Sequence, residues 1–196
     1  MVGNWNTFGH SGVNMATTNI SIVDDLVNSA LRTKIFGYIM NSAFRIGWAD
    51  VNYGPNSAYK CMAALFSKEE LMASGLGDIV FSSPQIAPFI EGKEMLRCAV
   101  NLVRAGDVQF THTHKAEEVV VLYYANLEWL PEWWGETMFY NDDGSSIVHA
   151  ARYTPGRFVV FDGPIPHAIR PQSPIGPQYR FTVSIIFTEA VAKDAP

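Results

Sequence analysis

In the first half of the chain apolar residues return every three or four positions, and in the second half they alternate with polar ones or run together. From Ile22 to Ile39, Val23, Leu26, Val27, Ala30, Leu31, Ile35 and Ile39 keep helical spacing, and Ser21 and Asp24 are spaced as a capping box. This pattern predicts an amphipathic helix over Ile22–Ile39. A second helix is predicted in "SKEELMASGL", which opens on Ser67, has Glu70 three residues on, and closes near Gly75. From about Met95 onward the texture is that of strands. The segments are "MLRCAVNLVR", "VVVLYYAN", "TMFY", "SIVHAARY", "RFVVFD" and "RFTVSIIF", most of them rich in β-branched and aromatic residues. Turn chemistry separates them: Ala105-Gly106-Asp107, "NDDGS" at 141–145 as a hairpin loop, and "TPGR" at 154–157 with Pro then Gly for a type II turn. Helices followed by strands predict an α+β fold in one domain, 1–196, with 1–94 mainly helical support and 95–190 a β-barrel or jelly-roll core.

Composition narrows the function. The 196 residues are 48% hydrophobic and 17% charged, which suits one globular domain with a substantial core. A net charge of -5 lacks the basic face that counterion release at nucleic acid requires, so no nucleic-acid partner is expected. No window reaches the ~20 apolar residues of a membrane span, and Met1 to Asn14 is polar, without a basic region followed by an apolar one. A cytoplasmic protein with no membrane partner is expected. Cys61 and Cys98 are too few for a disulfide framework and read as buried free thiols.

The chemistry-bearing residues are histidines and one arginine. Of His10, His112, His114, His149 and His167, the pair in "FTHTH" is two apart, so on an extended chain both rings point to one side and can reach one ion. His10 and His149 read as ordinary hydrogen-bonded histidines. His167 lies in "FDGPIPHAIRP", where Pro164 and Pro166 stiffen the loop and limit where the ring can sit. In "RFTVSIIF", Arg180, Thr182 and Ser184 share one face, and Phe181, Val183 and Ile185 the other. An inward arginine needs an anion, either an acidic side chain at the barrel rim or a ligand carboxylate. The hydroxyl of Tyr124, once buried, needs a partner as well.

The ordered set "HTH", "LYYAN", "WWGET", "PGRFVVFDGPIPHAIRP" and "YRFT" resembles the iron(II)- and 2-oxoglutarate-dependent oxygenase superfamily, near its prolyl-hydroxylase-like branch. The resemblance covers Asn101 to Phe187, about half the chain. It implies a double-stranded β-helix, or jelly roll, with supporting N-terminal helices, and a hydroxylating dioxygenase that binds Fe(II), 2-oxoglutarate and O2. Carried over by position, His112 matches the first metal histidine and His167 the distal one. Arg180 matches the co-substrate arginine, Thr182 the hydroxyl residue after it, and Tyr124 a tyrosine that bonds the same carboxylate. Trp134 stands where the family's "WGGET" turn has a glycine, a change expected to narrow the substrate entrance.

One departure matters more. The family's carboxylate ligand, two residues after the first histidine, is replaced by His114, so the metal set implied is His112, His114 and His167. Two alternatives stay open: Glu117 or Glu118 reaching in as a displaced carboxylate, or His114 as first ligand with Ala116 leaving room for a halide, as in related halogenases. The reading is a dioxygenase that hydroxylates a C–H bond of a prolyl residue or an amino-acid-like molecule. A metal-bound barrel that only binds a small acid, and a cupin-like three-histidine oxygenase that uses no 2-oxoglutarate, are the rivals.

Overall fold

The computed structural model describes residues 19–48 and 61–190, so Met1–Asn14, including His10, lies outside the described residues. Elements run in the order β1 (Ile20–Val23), α1 (Ser29–Met40), β2 (Arg45–Trp48), β3 (Cys61–Phe66), α2 (Lys68–Ser74), α3 (Leu76–Ser82), α4 (Ala87–Ile90), β4 (Lys93–Arg104), β5 (Val119–Tyr124), β6 (Thr137–Tyr140), β7 (Ile147–Ala151), β8 (Phe158–Asp162), β9 (His167–Ile169) and β10 (Tyr179–Glu189). Seven strands form one antiparallel sheet in the order β1-β8-β5-β10-β4-β3-β2, and β7-β6-β9 form a second. These two sheets are the jelly roll, and the helices cover one face of the larger one. Among the described residues no helix is long and apolar enough to cross a membrane.

The larger sheet is buried on both faces, because both are covered. Val119, Val121 and Tyr123 of β5, Phe158 and Val160 of β8, and Phe181, Val183 and Ile185 of β10 join the core that includes Ile35 and Ile39 of α1 and Leu71 of α2. Their neighbours Val120 and Tyr124, and Val159 and Phe161, turn the other way and pack with Phe139 of β6 and Tyr153. This period-two partition fixes the register and decides which β10 side chains meet the site.

The capping box at Ser67 and Glu70 is present, and Gly75 closes α2 in the left-handed region at φ 86°. "NDDGS" joins the hairpin β6–β7, and Gly156, at φ 87° with Arg157 N–H donating to Thr154 O, completes the turn at "TPGR". The helix predicted over Ile22–Ile39 is shorter than expected. Ile20–Val23 pair with β8, Asp25 turns the chain at φ 63°, and α1 begins at Ser29, capped by Asn28 Oδ1 accepting from Leu31 N at 2.9 Å. Asp24 therefore caps nothing and instead pairs with Arg157 through bonds of 2.8 and 2.7 Å. β1, β2 and β3 add strands to a half predicted as mainly helical, extending the larger sheet at both edges. Cys98 is a buried free thiol whose pKa burial pushes up to about 12; the Cys61 side chain lies outside the description.

Candidate metal centre

The "HTH" segment is extended but not part of a ladder. His112 exchanges both backbone hydrogen bonds with His167 at 3.0 Å, and His114 N–H donates to Gly163 O at 2.7 Å. Gly163 permits that approach: a Cβ there would stand 2.4 Å from Lys115 O and 3.1 Å from His114 Cβ. Because the segment is tied to the stiff loop at two points, His112 to His167 and His114 to Gly163, the three rings converge. One nitrogen from each of His112, His114 and His167 lies within 4.8 Å of the others.

Tautomers are set by the backbone. Nδ1 of His112 bonds Phe110 O at 2.9 Å and Nδ1 of His167 bonds Ile165 O at 2.9 Å. A carbonyl only accepts, so each Nδ1 carries a proton, the backbone-oriented arrangement common among metal-binding histidines. His167 is driven well below the ordinary histidine pKa, first by burial and then by the neighbouring His112, which holds it in the neutral form that a metal requires. His114 Nδ1 lies 3.8 Å from the Glu118 carboxylate. Neither Glu117, Glu118 nor Ala116 belongs to the converging set, and Ala116 is exposed. His149 is exposed on β7.

The cavity holding the histidines is lined from both sheets: Asn101 of β4, Val120 and Leu122 of β5, Arg180, Thr182 and Ser184 of β10, Thr137 of β6, and Ile169 of β9. Arg180 is 0% exposed. Its Nε donates to Gly135 O at 3.1 Å, while Nη1 and Nη2 are buried with no hydrogen-bond partner. Gly135, at φ 83°, allows this contact, since a Cβ there would come within 3.1 Å of Nε. Rings of Tyr153 and Tyr124 face the guanidinium at 4.7 and 5.6 Å. Of the acidic rim partner weighed as an alternative the structure offers only Glu136, which acts on the guanidinium from a distance and lies 3.6 Å from Arg170; no carboxylate among the described residues forms a close ion pair with Arg180. Burial pulls the Arg180 pKa down from its ordinary value, but an arginine stays charged, and leaving such a charge unpaired costs several kcal/mol. An anion entering the cavity would remove that cost.

Around the guanidinium the structure places the other predicted residues differently. Thr182 and Ser184 line the cavity directly, and Thr182 sits between Asn101 and Tyr124 across three strands. Tyr124, fully buried, donates its hydroxyl to Thr137 Oγ1 at 2.7 Å, and burial raises its pKa. Thr137 then keeps its own proton to offer to the cavity. Sequence reasoning missed Thr137 and Asn101. The Asn101 Oδ1 is buried without a partner, and the signal was available: an amide in the middle of the apolar run "CAVNLV". Trp134 is not among the residues that line this cavity. It adopts φ 58°, its carbonyl accepts from the Trp129 indole N–H at 2.8 Å, and Arg170 covers its ring at 4.2 Å.

The donor set fits the two groups that the resemblance implies. Three converging imidazoles suit a divalent first-row metal, and a buried guanidinium with two unpartnered nitrogens suits a carboxylate. No family model matches the chain, and no curated protein sequence matches it significantly. Solved structures do. A prolyl hydroxylase from Trichoplax adhaerens, in complex with a hypoxia inducible factor peptide fragment, superposes with a TM-score of 0.64 at 16% identity over 88% of this chain and 84% of its own. A Pseudomonas putida prolyl-4-hydroxylase gives 0.62 at 17% identity over 89% and 95%. HygX from Streptomyces hygroscopicus, with nickel and 2-oxoglutarate bound, gives 0.63 at 11% identity over 89% and 84%. Such likenesses, all under 25% identical, show the fold: this chain shares it with proteins described as prolyl hydroxylases and as a 2OG-Fe(II) oxygenase family oxidoreductase.

Proposed function

We propose that the protein is a non-haem Fe(II) dioxygenase that decarboxylates 2-oxoglutarate while hydroxylating a C–H bond of a prolyl residue or an amino-acid-like small molecule. One observation carries the reading: the unpartnered buried guanidinium of Arg180 lines the same cavity as the three converging histidines. When bound, Fe(II) and 2-oxoglutarate supply the oxidising chemistry, which no side chain of this cavity provides.

The chain's own contribution is to bind and orient. His112, His114 and His167 would hold the metal; Nδ1 of His112 and of His167 is tied to a backbone carbonyl, so those two rings are aimed before the metal arrives, while the Glu118 carboxylate stands 3.8 Å from His114. Nη1 and Nη2 of Arg180 would take the far carboxylate of 2-oxoglutarate in a two-point contact, with the Thr182 and Thr137 hydroxyls beside it. Tyr124 supports this contact from behind, through Thr137 and through its ring. Val120, Leu122 and Ile169 keep the rest of the wall apolar and limit water around the reacting centre.

Oxygen-dependent release of succinate from 2-oxoglutarate by the iron-loaded protein is the test. Succinate formed in proportion to oxygen consumed supports the reading. Oxygen consumption without succinate would instead support the three-histidine oxygenase that uses no 2-oxoglutarate, which the all-imidazole donor set also favours.

A further inference from the structure

Replacing a carboxylate ligand by His114 removes one negative charge from the metal, and the fold holds a carboxylate next to that histidine. Glu118 is buried, 6% exposed, although an unpaired buried carboxylate is costly. Its Oε2 lies 3.8 Å from His114 Nδ1 and accepts a hydrogen bond from Lys115 N–H at 3.3 Å. The placement is built by the backbone. Gly163 accepts from His114 N–H at 2.7 Å and donates to Glu118 O at 2.8 Å, so one residue clamps both partners. A Cβ on Gly163 would come within 3.0 Å of Glu118 O and 3.1 Å of His114 Cβ.

We propose that Glu118 is an outer carboxylate of the metal centre, acting on His114 Nδ1 and returning through the imidazole the charge that a carboxylate ligand would have placed on the metal. This rests on the metal reading above. It differs from the displaced-carboxylate alternative, because Glu118 stays off the metal and His114 remains the ligand. From 3.8 Å, beyond hydrogen-bond distance, the carboxylate acts on the ring electrostatically and partly neutralises the cation, and loss of an outer partner typically costs about 10- to 100-fold in metal affinity. Glu118 is therefore a positioning residue.

Mn(II), which does not oxidise readily during titration, is the probe. Its affinity is measured for the wild type, Glu118→Gln, Glu118→Asp and His167→Ala, together with the melting temperature of each, with and without Mn(II). Glu118→Gln keeps an oxygen for Lys115 N–H and loses only the charge. The expected result is a loss of about 10- to 100-fold in Mn(II) affinity, a smaller metal-induced rise in melting temperature, and an unchanged metal-free melting temperature. Glu118→Asp, which keeps the charge, should fall between the wild type and Glu118→Gln; if Glu118→Gln does not fold, the same comparison rests on Glu118→Asp, with a reduced affinity expected. Wild-type affinity in the charge-neutral variant, or in Glu118→Asp where only it folds, overturns the proposal. Loss as complete as that in His167→Ala also overturns it, because Glu118 would then be a ligand. If the wild type takes up no Mn(II), the metal reading itself fails and this inference fails with it.

Discussion

Phe181, Val183 and Ile185 leave β10 toward the helices, whereas Arg180, Thr182 and Ser184 leave the same strand into the cavity shared with the three histidines. Both sets are buried, and both come from consecutive residues. They differ in what satisfies them. The helix-facing set is complete without a ligand, since Phe181 meets the rings of Phe36 at 5.8 Å and Phe44 at 5.9 Å. The cavity-facing set is incomplete, with two arginine nitrogens unpartnered, as is the oxygen of Asn101 on the adjacent β4. One face therefore stabilises the fold and the other holds binding free energy in reserve, and substitutions should separate the two.

The largest effect is expected on the helix side, where Phe181→Ala should lower unfolding stability by about 3 to 5 kcal/mol, read from a denaturant midpoint. Across the strand, Arg180→Met should leave the metal-free stability unchanged or higher, because an unpaired buried charge is replaced by an apolar side chain of similar length. The same variant should weaken 2-oxoglutarate by well over tenfold, about 2 to 5 kcal/mol, with little change in metal affinity. Equal losses for metal and co-substrate would make Arg180 a structural residue.

A reciprocal exchange of neighbours sharpens the comparison. Val183→Thr puts a hydroxyl into the helix-facing core and should cost about 1 to 3 kcal/mol of stability. Thr182→Val should change stability by less than about 1 kcal/mol yet reduce 2-oxoglutarate affinity several-fold, about 0.5 to 1.5 kcal/mol. The smallest effect belongs to a contact on neither face. Arg157 holds the Asp24 carboxyl below its usual pKa of 3.8, so the pair stabilises the fold above that pH and stops doing so as pH falls through the lowered value. Asp24 is 42% exposed at its side chain, so Asp24→Asn should cost at most about 1 kcal/mol at neutral pH and nothing in strong acid, measured by thermal melts.

Much of this partition was legible in the chain. The period-two alternation of "RFTVSIIF" assigned Arg180 to Ile185 to their observed faces, and the same-side spacing of His112 and His114 placed two of the three converging rings. What sequence missed was decided by tertiary pairing. Residues 20–23 mimic a helix start because Val23, Leu26 and Val27 fit a helical period, but strand pairing with β8 and the turn at Asp25 override it. β9 has three residues and follows Pro166, too short a stretch to show alternation. The nearness of Glu118 to His114 comes from a local turn, in which Glu118 N–H donates to Lys115 O at 3.1 Å, held by Gly163 45 residues further along; "KAEE" carries no Gly or Pro to announce that turn.

The central claim is that one cavity binds both a metal and 2-oxoglutarate, and anaerobic visible spectroscopy tests it most directly. Fe(II) and 2-oxoglutarate added together to the wild type should produce the weak charge-transfer band of a chelated complex, which neither produces alone. Arg180→Met should need far more 2-oxoglutarate to develop it, and His167→Ala should not develop it at all. A wild type that binds Fe(II) yet shows no band at saturating 2-oxoglutarate, or a His167→Ala variant that retains it, would contradict the account.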